Sequence, residues 1–205
     1  KKLISIYIDD IRAYAPGKHR VVDDYPYGGD PGMLLKPRPV AAAIQASRKR
    51  LAGLSPKVVF LTPQGTLMNQ HVVKQLAKNR ALILLCGKYK GIDQRVRDSC
   101  VDMELSIGDF VLSGGEVPAM AVIDAVSRLI PGVLGNEQSA ECDSFFDGLL
   151  APPQYTRPEV FEGMAVPEIL LSGHHEKINR WRRTKAEEIT RTRRPDVWQR
   201  YIEQN

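Results

Sequence analysis

Three short apolar runs, each ending in a glycine-bearing turn and each followed by a helical pattern, set the tightest limit on how this chain can fold. They are Lys57 to Leu61, Leu82 to Cys86 and Met103 to Ile107. Short runs that stay apolar at successive positions are strands buried on both faces, and strands alternating with helices build a parallel α/β sheet. Such sheets take their ligands beyond the carboxyl ends of the strands. Those ends carry Pro63-Gln64-Gly65, Gly87 to Gly91 and Gly108 to Gly115, so three glycine-bearing loops are expected at one edge. The last lies in Ser106 to Glu116, which matches neither G-x-G-x-x-G nor G-x-x-x-x-G-K-[ST]. Dinucleotide and triphosphate cradles are therefore not indicated. Taken alone, that segment also reads as an ordinary strand-to-helix turn.

The rest of the pattern fills in around these strands. Leu3 to Ile8 alternates and predicts a further strand, and residues 16–39 are rich in turn residues. Helices are expected from Val40 to Leu51, from an Asn69 cap to about Lys78, from Gly91 to Cys100 and from Val117 to Ile130. Residues 136–150 lose periodicity and read as a linker or an active-site loop. After Pro152-Pro153 a polar, mostly helical region begins. Between Glu176 and Arg194 eight basic side chains face three acids, with Trp181 and Trp198 in or near the stretch. That pattern and the net charge of +5 favour a polyanionic partner.

Composition closes off several classes. A chain of 205 residues with 43% hydrophobic content holds one substantial domain, or one with a small appendage. No apolar run approaches the roughly 20 residues of a membrane helix, so no membrane partner is expected. Three widely spaced cysteines without a CxxC pair argue against a disulfide framework or zinc site and for the reducing cytoplasm. His174-His175 lack a Cys or carboxylate at ligand spacing, so no metal site is assigned.

Read in order, Pro63-Gln64-Gly65, Cys86 to Asp93, Ser106 to Glu116, Asp143-Ser144-Phe145, Tyr155 to Pro158, Leu171 to His175 and Arg193-Arg194-Pro195 resemble one family. It is the bacterial tRNA (guanine-N1)-methyltransferases of the SPOUT class, the TrmD family. The resemblance covers nearly the whole chain. It implies an α/β fold with a parallel sheet and a deep trefoil knot, which no sequence pattern shows, followed by a small helical C-terminal domain. Residues 1–135 would form the knotted domain that binds S-adenosylmethionine, 136–150 a flexible linker and 151–205 a helical tRNA-binding domain. The enzyme would be a homodimer whose active site lies at the interface. It would methylate N1 of the guanosine 3′ to the anticodon, tRNA position 37.

By the same resemblance Asp143 is the general base and Arg128 the catalytic arginine. The cofactor pocket would draw Leu61, Thr62 and Pro63 from the first loop and Gly87 and Tyr89 from the second. Ile107, Gly108, Phe110, Val111, Leu112, Gly114, Gly115 and Pro118 would complete it from the third. His19, Arg20 and Tyr27 in the segment His19 to Gly29, with Ser139, Ser144, Arg183 and Arg193, would meet tRNA. The family uses a magnesium ion. Lys90 stands where many members carry Glu and inverts the charge there, so no magnesium ligand is assigned. Asp30 replaces a usual Gly. The family pattern opens with a further strand and helix, and this chain begins Lys1-Lys2 without Met, so its natural start is expected upstream. Two other readings fit parts of the pattern: a SPOUT methyltransferase with another RNA target, and an inactive RNA- or cofactor-binding relic.

Overall fold

A computed structural model describes residues 3–135 and 142–204. The chain forms two compact units, Lys1–Val133 and Leu134–Asn205.

The first unit is a three-stranded parallel sheet with helices on both faces. Its strands are β3 (Lys57–Leu67), β4 (Leu82–Cys86) and β5 (Met103–Ser106), in the order β4-β3-β5. Alternate residues of β3 feed two cores, as strand geometry requires. Val58 and Phe60 pack with Val40, Ile44, Leu85 and Val96. Val59 and Leu61 pack with Val72, Leu76, Leu105 and Val122 on the other face. Each fully buried side chain of this size contributes about 1.5–3 kcal/mol.

The helices follow from local rules. In α1 (Pro37–Arg50), proline opens the first turn, Val40, Ala43, Ile44 and Ser47 form the buried stripe, and Arg48, Lys49 and Arg50 complement the dipole at its end. In α2 (Gln70–Ala77), Asn69 Oδ1 accepts the Val72 N–H at 3.0 Å, the expected cap. Asp93 caps α3 (Gln94–Cys100), later than the Gly91 start expected from sequence. The last helix of the unit is α4 (Glu116–Ser127), with Arg128 as its C-terminal cap residue.

Two expectations need correction. Leu3 to Ile8 forms no strand: no described residue pairs with it, and Ile6, Tyr7 and Ile8 are exposed. The alternation is genuine, but a strand exists only beside a partner. Conversely, β3 does not end at Pro63. It continues through Leu67, shifting register after Leu61 so that Thr66 faces Leu105 and Leu67 faces Ser106. Asp23–Asp24 (β1) and Leu34–Leu35 (β2) make a short antiparallel pair, and β2 also docks beside Ile92.

The second unit opens with turns over 142–150. A two-stranded hairpin follows, β6 (Val160–Phe161) and β7 (Met164–Ala165). Three helices complete it: α5 (Glu168–Leu171), α6 (His175–Arg193) and α7 (Pro195–Gln204). The basic stretch 176–194 falls almost entirely on α6.

Candidate functional site

Because all three strands of the sheet are parallel, the irregular stretch of β3 after Leu61 and the loops after Cys86 and Ser106 lie toward one edge. Backbone groups join them. The Met68 N–H donates to Ser106 O at 2.8 Å, Gly115 N–H to Gly87 O at 2.9 Å, and Lys88 and Gly114 form an isolated bridge. The third loop is also held from within, since Ser106 Oγ accepts the Gly108 N–H at 3.2 Å. From the N-terminal side, Lys90 N–H donates to Met33 O and Leu35 N–H to Gly91 O, both at 3.0 Å.

Two glycines are required by proximity alone. A Cβ on Gly115 would lie 2.6 Å from Cys86 Cα, and one on Gly65 would fall on the backbone of Glu104 and Leu105. A real Cβ cannot occupy either place without moving backbone. The result is a cradle of main-chain donors and acceptors with no side chain at Gly65 and Gly115, where backbone approaches backbone most closely.

The residues expected to hold the cofactor fall into two groups by exposure. Leu61 and Gly115 are buried, and Thr62, Ile107, Gly108, Gly114 and Pro118 are half-buried. Gly87 is buried against the Phe60 ring, where a Cβ would come within 2.9 Å. Pro63, Tyr89, Phe110, Val111 and Leu112 are exposed, with Val111 at 86%. Tyr89 has φ of 59°, and the Lys88 ammonium lies 5.6 Å from its ring centroid. Beside the cradle, Glu116 reaches back over Gly114. Burial, aided by the Glu116 charge, pushes the Cys86 thiol up to about 11, so it stays neutral at physiological pH. A cradle of backbone donors and acceptors suits a ligand with hydrogen-bonding edges, and its loops carry both signs of charge, with Glu116 beside Gly114 and Lys88 and Lys90 in the second loop. Gly65 and Glu116 were missing from the expected site. Gly65 reads from sequence as the end of a strand, which hides its close backbone approach to β5.

Of the two expected catalytic residues, Arg128 belongs to the first unit and Asp143 to the second. Arg128 is exposed and ends α4, while the cradle meets the start of that helix. At 1.5 Å per residue the length of α4 separates them by about 18 Å. Asp143 is exposed and belongs to the second unit, where its carbonyl accepts the Phe146 N–H at 3.4 Å.

Of the residues expected to meet RNA, His19, Arg20 and Tyr27 are exposed, Tyr27 almost completely. Arg193 is exposed in the last turn of α6. Ser144 Oγ accepts the Ala151 N–H at 2.9 Å. Arg183 already serves the protein: Nε donates to Glu187 at 2.8 Å, Nη1 to Asp147 at 2.8 Å and Nη2 to the Tyr201 hydroxyl. A phosphate there would have to displace these partners. Ser139 lies outside the described residues.

Comparison with known proteins settles the lineage. Residues 1–200 match the family described as tRNA (Guanine-1)-methyltransferase TrmD. The chain belongs to this family. A tRNA (guanine-N(1)-)-methyltransferase of Alkaliphilus oremlandii is 50% identical over 205 residues, covering 98% of this chain and 82% of the relative. The protein of the same name from Photorhabdus laumondii is 55% identical over 195 residues, covering 95% and 78%. One from Anaeromyxobacter sp. (strain K) is 54% identical over 200 residues, covering 97% and 80%.

Proposed function

We propose that this member of the TrmD family transfers a methyl group from S-adenosylmethionine to N1 of the guanosine 3′ to the anticodon, position 37 of tRNA. The observation that carries the reading is the three-loop backbone cradle at the carboxyl edge of the sheet, in a chain whose family name already specifies the reaction class. S-adenosylmethionine, when bound, supplies the methyl on its sulfonium. Its adenosine would find main-chain partners at the loops after Leu61, Cys86 and Ser106, and Glu116 would oppose the positive charge.

Guanine N1 carries a proton near neutral pH and is a poor nucleophile until that proton leaves. Asp143 accepts it, a general-base contribution worth about 10²–10⁴-fold in rate. Arg128, with its planar fork, holds O6, where negative charge develops. His19, Arg20, Tyr27, Ser139, Ser144 and Arg193, and Arg183 after exchange of partners, hold the RNA. The basic face of α6 adds salt-dependent attraction to phosphates.

Arg128 cannot serve the cradle of its own chain across about 18 Å of helix, which supports a homodimer in which each protomer completes its partner's site. Val117 and Met120 on α4, at 59% and 69% exposure, give that dimer an apolar surface. Met120→Glu is expected to yield a monomer in sedimentation and to lower turnover by roughly tenfold or more. A monomeric wild type would remove the dimer from the reading.

The fold is taken as a deep trefoil knot, which membership of the family implies. Residues 1–135 serve the cofactor, 136–150 link, and 151–205 hold RNA, in the cytoplasm where tRNA is processed. No described helix is long and apolar enough to cross a membrane. A magnesium ion, which the family uses, is possible here as well, and no residue is assigned to hold it.

The test is methyl transfer from labelled S-adenosylmethionine to two tRNA transcripts, one with guanosine and one with adenosine at position 37. Transfer to the guanosine transcript alone is expected. Equal transfer to both would sink the assignment of the target base.

A further inference from the structure

The turn that carries Asp143 is built onto α6 of its own unit, through a buried hydroxyl. Thr190 is fully buried in the last turn of the basic helix. Its Oγ1 donates to Ala186 O at 2.6 Å and accepts the Leu150 N–H at 2.9 Å, so its single donor and an acceptor lone pair are both engaged. The Leu150 bond spans forty positions and rivets the 142–151 segment to the helix.

From that rivet the turn closes back on itself toward Asp143. Phe145 N–H donates to Leu149 O at 2.6 Å, and Ala151 N–H to Ser144 Oγ at 2.9 Å. Leu149 is 1% exposed and anchors the turn by packing. Asp147 accepts from Arg183 Nη1 at 2.8 Å, a second attachment to α6. The guanidinium of Arg194, the residue that caps α6, lies 5.9 Å from the Phe145 ring centroid. Each of these bonds lies within eight residues of Asp143 along a chain that doubles back on itself.

We propose that Thr190 is a positioning residue for Asp143: its hydroxyl fixes the 144–151 turn on the RNA-facing helix, and through that turn the direction of the base. The inference rests on the assignment of Asp143 as base. Its physical content is that a turn held by one buried, doubly used hydroxyl loses its fixed geometry when that hydroxyl goes. A displacement of about 1 Å at a reacting group costs on the order of 100-fold in rate.

Thr190→Val keeps the shape and removes both hydrogen bonds. Thr190→Ser keeps the hydroxyl and removes a methyl. In steady-state methylation of a guanosine-37 transcript, Thr190→Val is expected to lower kcat by roughly 10- to 100-fold. KM for tRNA and the Kd for S-adenosylmethionine should stay within about twofold, and Thr190→Ser should recover most of kcat. Amide exchange at Leu150 should accelerate in the Val variant and not in the Ser variant. A Val variant that turns over within twofold of wild type overturns the proposal. So does a Ser variant as slow as the Val one, because the loss then follows packing and not the hydroxyl.

Asp143→Ala, measured in parallel, separates the two layers. If it retains wild-type turnover, the base assignment fails. If it loses turnover while Thr190→Val does not, only the positioning role fails. Should Thr190→Val not fold, Thr190→Cys, which keeps a side chain of similar size with only a weak hydrogen-bonding group, carries the test: a severalfold fall in kcat at unchanged KM is expected, and unchanged kcat overturns the proposal.

Discussion

The cradle at the sheet edge and the Asp143 turn solve the same problem, holding a loop still, in opposite ways. The cradle does it with main chain. Its loops cross so closely that Gly115 and Gly65 have no room for a Cβ, and its bonds run from amide to carbonyl. The Asp143 turn does it with side chains: the Thr190 hydroxyl, the Ser144 hydroxyl, the Asp147–Arg183 pair and the buried Leu149. Main chain is common to every residue, so the cradle tolerates few insertions of bulk and many changes of chemistry. The turn is the reverse, because each support is a particular functional group that a point mutation can delete.

If the cradle holds the cofactor and Asp143 is the base, as proposed, cofactor binding and catalysis are separable, and Asp143→Ala probes this hardest. Turnover is expected to fall by about 10²–10⁴-fold, with S-adenosylmethionine affinity by titration calorimetry unchanged. A parallel loss of cofactor affinity would mean the two regions are not independent. Next, Leu149→Ala should destabilise the second unit by about 2–5 kcal/mol, as removal of a buried leucine does. Denaturant unfolding should show the loss, with cofactor affinity preserved wherever the protein remains folded.

Gly115→Ala attacks the other side. Its Cβ would sit 2.6 Å from Cys86 Cα, and overpacking of this kind costs about 1–3 kcal/mol. Here cofactor affinity should fall while the Leu150 amide keeps its exchange protection. The smallest effect is on pH. The Cys86 thiol rises from the ordinary 9.0 to about 11 because burial disfavours the thiolate. The folded state therefore binds this proton more tightly than the unfolded state. Its contribution to stability is complete below pH 9 and is lost as pH rises toward and through 11. Thermal melts of Cys86→Ser should show a weaker decline across that window than wild type.

Legibility from sequence follows the range of the forces involved. Leu82 to Cys86 was readable to the residue, because an apolar run bounded by Gly87 needs no further information. The Asn69 cap is equally local. The continuation of β3 to Leu67 was not readable: Pro63 and Gly65 are residues that end strands, and what keeps them in one is pairing with a strand far along the chain. The Val160–Ala165 hairpin was missed for a different reason. Its two-residue turn needs positive φ at both positions, supplied by Glu162 at 51° and Gly163 at 79°. Asn or Asp normally announces such a turn, and Glu does not. At the site, the glycine loops were visible as a set, whereas Thr190 looked like one polar residue among many on a charged helix. Its role depends on Leu150, forty positions away.

The passage of Gly65 along β5 also orders events in time. A segment that precedes α2 finds its partner only after β4, α3 and β5 have been made. Contacts so distant in sequence form slowly, because the loop between them must be closed first. A nascent or partly folded chain therefore has helices and β3–β4 pairing available before the segment at Gly65 has a partner, and on the proposed function its cofactor site is completed only with β5.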